Sequence, residues 1–372
     1  MASCKWGGSA REATNRSRLE STAAMISFTH PSVEGGHWAS SGGRATSRTA
    51  VFARLANEDS RVLKYLPPRG PMRLSPDRTP APTPNRPTPP MHHDSRPIGI
   101  FDSGVGGLTV LRALRSRLPR ESFVYLGDTA RLPYGTKSPE TIQAYARQAA
   151  AVLMSRNVKS IVIACNTASA HGLRALQCLP VPVMGVVEPG AAAACEASRS
   201  GRIAVLCTEA TARSLAYEAA IRVIRPAARV TTIACPLLVA LAEEGWTDGP
   251  IPEAVVRRYI DRFLHKMDSP DCFVLGCTHF PLLRHAIAAV VGPAWPLIDS
   301  GSAVARCVEA QLVENGATTG AFCAGSTSLM VTDGPERFAR LAGPILGTRL
   351  SERDVEVVDI GEAVEPVATS AA

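Results

Sequence analysis

The sequence predicts an α/β protein: two similar, doubly wound, mainly parallel α/β domains that follow a disordered N-terminal tail. Three observations support this prediction. Short β-rich runs alternate with helical patterns from residue 98 onward, which is typical of parallel sheets covered by helices. A strand that ends in a polar turn and leads on to a cysteine occurs twice, at Cys165 and at Cys277. The first 90 residues differ in composition from all that follows.

The tail carries the whole of the net positive charge. Residues 1–90 hold 13 Lys/Arg against 6 Asp/Glu, whereas the remaining 282 residues hold 27 of each. The tail is rich in Ser, Arg, Gly and Pro, and such a segment buries too little apolar surface to offset its ordering entropy. We therefore expect residues 1–95 to be a disordered extension. Its retention, its removal and a start of translation at Met91 are all left open.

The composition also excludes several classes of protein. The balanced charge after residue 90 gives no support for a nucleic-acid partner, and no apolar run reaches the 18 residues expected of a membrane span. The ten cysteines show no compact spacing, which favours reduced thiols over a disulfide framework. We expect a cytoplasmic protein.

Ten strands are predicted from short runs of β-branched and aromatic residues. They cover residues 98–102, 123–127, 160–165, 181–186, 203–207, 230–234, 272–277, 295–299, 328–332 and 355–359. Helical spacing covers 107–117, 139–156, 212–224, 252–267 and 335–346, with Pro at the start of three of them. Crossings of the chain near Glu188 and Asp299 would give a first domain of residues 96–188 plus 299–362 and a second domain of residues 189–298.

Two cysteines occupy near-matching settings, Cys165 in IVIACNTAS and Cys277 in FVLGCTHFP. Each ends a predicted buried strand, which is where an open α/β sheet forms its ligand crevice. A single cysteine there is often a packing residue, but the matched pair favours two thiols that face one small molecule and exchange protons with it. A thiol acts as a base only as thiolate, so we expect a helix N-terminus or a cation to lower its pKa.

A glycine-rich loop follows the first predicted strand. The segment DSGVGG at 102–107 is similar to a phosphate cradle, and Asp128 could serve as a ribose ligand, although Thr109 replaces the third glycine of the fingerprint and no Walker lysine is present. Alternatively, Asp102 and Ser103 could orient a substrate ammonium. A dinucleotide-dependent oxidoreductase and a non-catalytic module that closes on an acidic ligand therefore stay open as alternatives.

Two further features concern the loops after the strands. The segment LPYGTK at 132–137 brings backbone N–H groups and the hydroxyl of Tyr134 together. His279 lies two residues after Cys277, a spacing that permits metal ligation, but zinc requires three or four protein ligands and no further Cys/His pair accompanies them. We expect no metal.

Taken together, these residues resemble the glutamate racemase family. The matching motifs occur in family order between residues 97 and 359: IFDSGVGGLT at 100–109, PYG at 133–135, ACNTAS at 164–169, GVVEP at 185–189 and GCTHFP at 276–281. Aspartate racemases share the architecture but tend to carry an acid where this chain has His279, which favours glutamate.

The resemblance implies interconversion of L- and D-glutamate without a cofactor, which supplies D-glutamate for bacterial peptidoglycan. The implied catalytic residues are Cys165 for the D-enantiomer and Cys277 for the L-enantiomer, assisted by Asp102, His279 and Glu188. The implied substrate contacts are Asp102, Ser103, Tyr134, Gly135, Asn166, Thr167, Thr278 and His279.

One position departs from the family pattern, because Cys207 stands where relatives usually have glycine. We expect this change to shift the loop that carries Thr208. The implied partner is glutamate, with no nucleic acid and no membrane, and a homodimer is left open.

Overall fold

The computed structural model describes residues 93–264 and 267–361. Residues 1–92 of the predicted tail therefore lie outside the described residues. The strands are β1 (Ile98–Asp102), β2 (Phe123–Gly127), β3 (Ser160–Ile163), β4 (Val183–Gly185), β5 (Arg202–Cys207), β6 (Arg229–Ala234), β7 (Cys272–Gly276), β8 (Leu297–Asp299), β9 (Thr327–Val331) and β10 (Val355–Val357). All ten predicted strands are confirmed, with ends that differ by at most two residues.

Helices follow most of the strands, as the alternating pattern predicts. They are α1 (Leu108–Arg117), α2 (Pro139–Ser155), α3 (Asn166–Gly172), α4 (Val187–Ala197), α5 (Glu209–Ser214), α6 (Ala216–Ile224), α7 (Pro236–Glu243), α8 (Pro250–Ile260), α9 (Arg284–Val291), α10 (Ser300–Glu314) and α11 (Pro335–Leu346). None of the helices in the described ranges is long and apolar enough to cross a membrane.

Two sheets organise the described chain. One has six strands in the order β10-β9-β2-β1-β3-β4, the other has four in the order β6-β5-β7-β8, and all paired neighbours are parallel. We call the six-stranded sheet with its helices the first lobe and the four-stranded sheet with its helices the second lobe. The doubly wound parallel fold is thereby confirmed, while the domain bounds 96–188 with 299–362 and 189–298 stay predictions.

Both faces of each sheet are covered, which explains the continuous apolar strands. In β1, Ile98 and Ile100 pack into one core cluster and Phe101 into another on the opposite face. In β5, Leu206 and Val205 divide in the same way between the two faces of the second sheet. Strands buried on both sides read as unbroken β-branched and aromatic runs, and this is the signal that located them.

Each sheet has one point at which the chain reverses its direction of winding. In the first lobe, β1 connects toward β2 and β3 connects toward β4, so the reversal lies between β1 and β3. In the second lobe the reversal lies between β5 and β7 for the same reason. Crevices open at such points, outside the carboxyl ends of the strands. Cys165 follows β3 and Cys277 follows β7, so each cysteine lies at the reversal point of its own sheet.

Two sequence predictions need correction. The helix predicted over 212–224 is two helices, α5 and α6, separated by Leu215 in the left-handed region with φ of 54°. The helix predicted over 252–267 begins at Pro250, ends at Ile260, and is followed by a 3-10 turn, Asp261–Phe263. The extension over 1–95 stays a prediction, and within the described part of the chain the Asp94 carbonyl accepts a hydrogen bond of 2.8 Å from the buried ammonium of Lys159.

Candidate active site

Cys165 lies at the N-cap of α3 in the first lobe. Its Sγ accepts a hydrogen bond of 3.4 Å from the Ala168 N–H and lies 3.7 Å from the Ser103 hydroxyl. Burial raises the pKa of the Cys165 thiol to about 12, and the negative charges of Asp102 and Cys277 act in the same direction against these hydrogen bonds. The expected lowering of this pKa is therefore wrong for Cys165, because desolvation outweighs the helix N–H group.

Cys277 has a different neighbourhood in the second lobe. Its Sγ lies 3.7 Å from Nδ1 of His279, and Nε2 of the same ring lies 2.7 Å from Oε1 of Glu243. Burial opposes protonation of the ring, but the hydrogen bonds and negative charges of Cys277 and Glu243 raise the pKa of His279 well above its ordinary value. An imidazolium beside a sulfur stabilises a thiolate. The second lobe thus provides the cation that the sequence analysis required.

Asp102 and Ser103 link the surroundings of the two cysteines. Its Oδ1 accepts a hydrogen bond of 3.1 Å from the Thr278 hydroxyl, and its Oδ2 accepts one of 3.0 Å from the Gly104 N–H. Thr278 directly follows Cys277, and Ser103 directly follows Asp102. The loop after β1 therefore contacts the surroundings of both thiols, and a charge on Cys277 is felt at Cys165.

Gly106 is required by the close approach of the lobes. A Cβ atom at this position would lie 2.5 Å from the Thr278 hydroxyl and 2.8 Å from Nδ1 of His279. Real Cβ atoms do not approach other atoms so closely, so only glycine lets the Cys277 loop pack against the loop after β1. The similarity of this loop to a phosphate cradle is thereby explained by packing between lobes.

Asp128 is fully engaged within the first lobe. Its carboxylate accepts hydrogen bonds from the Tyr134 hydroxyl, from Arg131 and from Thr332. This arrangement leaves it unsuited to bind a ribose, which weakens the dinucleotide alternative. The Tyr134 hydroxyl likewise points at Asp128, so the group that this loop can present to a substrate is its backbone.

A cluster of threonine hydroxyls connects the lobes on another side. The Thr167 hydroxyl lies 2.8 Å from that of Thr208 and 3.1 Å from that of Thr211. Gly135 packs against Thr208, because a Cβ at Gly135 would lie 2.7 Å from the Thr208 Cβ. Cys207 is fully buried at the end of β5. Thr208 therefore lies beside Thr167 and Gly135, two of the predicted substrate contacts, even though a cysteine precedes it.

Asn166 is held by a tyrosine from the second lobe. The Tyr217 hydroxyl donates a hydrogen bond of 2.7 Å to Oδ1 of Asn166 and lies 3.0 Å from the Ser300 hydroxyl. Because Oδ1 is the acceptor, the amide NH₂ of Asn166 stays available to donate to another group. A carboxylate is the kind of group that such a donor binds.

Glu188 differs from the other predicted residues. It lies in the first turn of α4 with an exposed side chain. The carboxylates that contact the cysteine loops are instead Asp102 and Glu243, so a catalytic role of Glu188 stays a prediction. Within residues 93–264 and 267–361, no group of three Cys, His, Asp or Glu side chains is arranged to hold a metal ion.

Sequence reasoning missed Glu243 and Tyr217. Glu243 ends the apolar helix α7, and Glu244 follows at its C-cap. Carboxylates are unfavourable in the last turn of a helix. Glu243 and Glu244 at this helix end could therefore have indicated a role other than stabilising the helix. Tyr217 gave no such signal, because a single tyrosine in an amphipathic helix is ordinary.

The cluster is enclosed. Cys165 and Cys277 are each 5% exposed, and the residues that surround them are 8% exposed or less: Asp102, Ser103, Asn166, Thr167, Thr208, Thr278 and His279. Two surface cavities of about 310 Å³ and 600 Å³ lie elsewhere, beside α1 and α11, and neither is lined by these residues. The surroundings of both cysteines are thus barely reached by solvent.

Comparison with known proteins identifies the family. Residues 107–308 match the Asp/Glu/hydantoin racemase family. The chain is 47% identical over 257 residues to a glutamate racemase from Geobacter metallireducens, an alignment that covers 68% of this chain and 94% of that protein.

Solved structures agree with this match. A glutamate racemase from Francisella tularensis in complex with D-glutamate has a TM-score of 0.67 and 36% identity, covering 73% of this chain and 100% of that one. A glutamate racemase from Thermus thermophilus in complex with β-chloro-D-alanine has a TM-score of 0.63 and 42% identity, covering 72% and 99%. The chain therefore belongs to the glutamate racemases of the Asp/Glu/hydantoin racemase family, and is an amino-acid racemase of the isomerase class.

Proposed function

We propose that this racemase interconverts L- and D-glutamate without a cofactor and that Cys165 and Cys277 are its two proton-transfer groups. The observation that carries the proposal is that both cysteines lie at the loop after β1, Cys277 through the hydrogen bond from Thr278 to Asp102 and Cys165 through the 3.7 Å contact of its sulfur with the Ser103 hydroxyl. A small molecule held between the two cysteines would have one sulfur on each side. The Francisella tularensis relative in complex with D-glutamate supports the choice of substrate.

In the direction from L-glutamate, Cys277 is the base and Cys165 is the acid. The Cα–H bond breaks as the Cys277 thiolate takes the proton, and a new Cα–H bond forms on the opposite face with the proton of the Cys165 thiol. The product is D-glutamate, and the two sulfurs have exchanged protonation states. The direction from D-glutamate is the reverse of these steps.

The electrostatics of the two lobes fit these starting roles. The His279 imidazole, whose pKa is raised, lies 3.7 Å from the Cys277 sulfur, while burial raises the pKa of Cys165 to about 12 and keeps it protonated at neutral pH. Environments that push two titratable groups apart assign one as acid and one as base. This protonation pattern is the one that accepts L-glutamate, and a bound substrate ammonium near Asp102 would offset the carboxylate that holds the pKa of Cys165 up.

The weak acidity of the α-hydrogen is the main energetic difficulty, because no cofactor spreads the charge that develops on Cα. Each tenfold gain in rate requires about 1.4 kcal/mol of transition-state stabilisation. Preorganised donors in a site with little water can supply it. The donors proposed for the two substrate carboxylates are Ser103, Asn166, Thr167, Thr278 and the backbone at Tyr134 and Gly135.

Substrate exchange requires movement of the lobes. The thiols are 5% exposed, so glutamate can enter and leave only when the cysteine loops separate. Closure then excludes water from the reacting carbon, as lid and domain closure does in other enzymes.

The biological role that we propose is the supply of D-glutamate for peptidoglycan in the cytoplasm. All nine cysteines in the described part of the chain are free thiols, which suits a reducing compartment. A homodimer is a further hypothesis, which light scattering of the purified chain would test.

The decisive experiment is a racemisation assay on the purified chain with no cofactor added. We expect the optical signal of D-glutamate to fall to zero as the two enantiomers reach equal concentration, and L-glutamate to give the mirror-image curve. A chain that binds glutamate, shown by calorimetry, but leaves the signal unchanged would be a binding module and would overturn the proposal.

A further inference from the structure

A continuous set of contacts leads from Cys277 to a helix of the other lobe. Cys277 lies beside Nδ1 of His279, Nε2 of His279 lies beside Oε1 of Glu243, and Oε2 of Glu243 lies 3.4 Å from Nη2 of Arg337. Arg337 also lies 3.6 Å from a carboxylate oxygen of Glu244. Both oxygens of Glu243 are therefore engaged, one within the second lobe and one across to the first.

The two ends of this set belong to different lobes. Glu243 is the last residue of α7 in the second lobe, whereas Arg337 lies in the first two turns of α11 in the first lobe. The Glu243 side chain is 10% exposed and that of Arg337 is 54% exposed. The ion pair thus lies at the edge of the enclosed site, where separation of the lobes would pull its partners apart.

We propose that Arg337 is a positioning residue, which couples closure of the lobes to the protonation of the Cys277–His279 pair by holding Glu243 in place. This inference rests on the proposed racemisation, since it concerns the pair that serves as base for L-glutamate. The lobes form the ion pair when they close on the substrate and lose it when they open.

The charges around the carboxylate support this role. Burial works against ionisation, but the hydrogen bond and charge of His279 and the charge of Arg337 together lower the pKa of Glu243. Two further ionisable groups contact this set of residues, Cys277 beside His279 and Glu244 beside Arg337. The charge of Glu243 acts on Tyr125 and that of Cys277 on Cys165, and Asp102 accepts a hydrogen bond from the neighbouring Thr278. Arg337 is the cation from the first lobe that contacts Glu243.

Removal of Arg337 should move the pH dependence in a known direction. Loss of a nearby cation makes each proton of the Cys277–His279 pair harder to lose, so both limbs of the kcat/KM profile should move to higher pH. Because Arg337 is half exposed, solvent screens it, and we expect a shift of about half a pH unit. On the acid limb this shift lowers kcat/KM about threefold.

The experiment compares Arg337→Ala, Arg337→Lys and Arg340→Ala in the full-length chain. Arg337→Ala should shift the profile and Arg337→Lys should restore it, because lysine keeps the charge. Arg340→Ala is the matched control, an exposed arginine three residues along the same helix. Its profile should coincide with that of the unaltered chain. Because the two enantiomers have equal free energy, the equilibrium constant is one and any change in kcat/KM must be the same in both directions. Equal changes in the two directions are therefore an internal check on the kinetic data.

Three outcomes decide the inference. A shifted profile that lysine rescues supports it. An unshifted profile, or a uniform loss of rate at every pH, overturns it, because a merely structural contact would lower activity without moving the limbs. If Arg337→Ala fails to fold, a salt titration of the unaltered chain takes its place, since added salt should screen the pair and move the profile the same way. An unaltered chain that does not racemise glutamate would instead refute the proposed function itself.

Discussion

The surroundings of Cys165 and Cys277 differ far more than the sequence around them. Both thiols end strands of parallel sheets, both lie at a reversal of winding, and both are 5% exposed. Yet Cys165 has Asp102 as its charged neighbour and a pKa raised to about 12, whereas Cys277 has an imidazole whose pKa is raised well above its usual value. Matching strand ends therefore place the two thiols in unlike electrostatic surroundings, one near a carboxylate and one beside an imidazole.

This difference teaches that the roles come from the partners that each lobe supplies. His279 lies two residues after Cys277, whereas the corresponding place after Cys165 is Thr167, which turns to Thr208 and Thr211. A two-base racemisation needs one protonated and one deprotonated thiol at the start of each turnover. The unequal neighbourhoods fit the starting state of the proposed mechanism, and the four predictions below test them.

The largest effect should come from removing either thiol. Cys165→Ser and Cys277→Ser should each lower racemisation by about 10³-fold or more, because a serine hydroxyl is too weakly acidic to take over either proton transfer. Polarimetry or circular dichroism measures the rate. Both variants should still bind glutamate in calorimetry, and full turnover by either one would break the assignment.

Activity should be nearly as sensitive to a change that disturbs the close approach of the lobes. Gly106→Ala places a Cβ 2.5 Å from the Thr278 hydroxyl, so the Cys277 loop must move away, and we expect kcat/KM to fall about 10²-fold. Gly104→Ala is the matched control in the same loop, because its Cβ would meet no atom nearer than 3.5 Å. Equal kinetics for the two variants would contradict the role given to Gly106.

Alkylation should separate the two thiols by pH. With a pKa of about 12, Cys165 is almost entirely protonated near neutral pH, so its reaction with iodoacetamide should accelerate about tenfold per pH unit as long as the pH stays well below that value. Cys277 should react first at neutral pH, as followed by mass spectrometry of the labelled peptides.

Asp102→Asn removes a charge that raises the pKa of Cys165 and should speed its labelling. The exposed thiols of Cys178 and Cys323 report on reagent activity. Earlier labelling of Cys165 would reverse the comparison.

The smallest effect should follow loss of a single hydroxyl behind Asn166. Tyr217→Phe removes the donor to Oδ1 of Asn166 and should raise KM about threefold to tenfold for both enantiomers, because the amide is no longer oriented. Tyr259→Phe is the control, since it removes a hydroxyl that accepts from the Leu237 N–H, away from the thiols. If both variants give the same KM, Asn166 does not depend on Tyr217.

The sequence predicted the strands well because burial on both faces leaves a strong apolar signal. It failed at Leu215, where a left-handed residue breaks a helix without a glycine or proline to mark the place. Helix ends at 260 and 250 also differed from expectation, since their limits depend on packing between α8 and its neighbours.

The sequence predicted those residues of the site that lie within local motifs. The motifs contain Cys165, Cys277, Asp102 and His279, and the structure brings all four together. Partners from distant helices could not be found in this way. Glu243 joins His279 across 36 residues of sequence, and Tyr217 joins Asn166 across 51. The pKa of Cys165 was expected to fall and is raised, because burial cannot be judged from a strand end alone.

The central claim is that two thiols on opposite faces serve one carbon, and isotope incorporation in heavy water tests it most directly. Protiated L-glutamate is incubated with the chain in heavy water and the reaction is stopped at low conversion. The two enantiomers are then separated, and the deuterium content of each is measured by mass spectrometry. The account predicts D-glutamate carrying one deuterium at Cα, because its new hydrogen comes from a solvent-exchanged thiol, while the remaining L-glutamate stays protiated. D-glutamate that retains its original hydrogen would show that a single base returns the same proton, and would contradict the account.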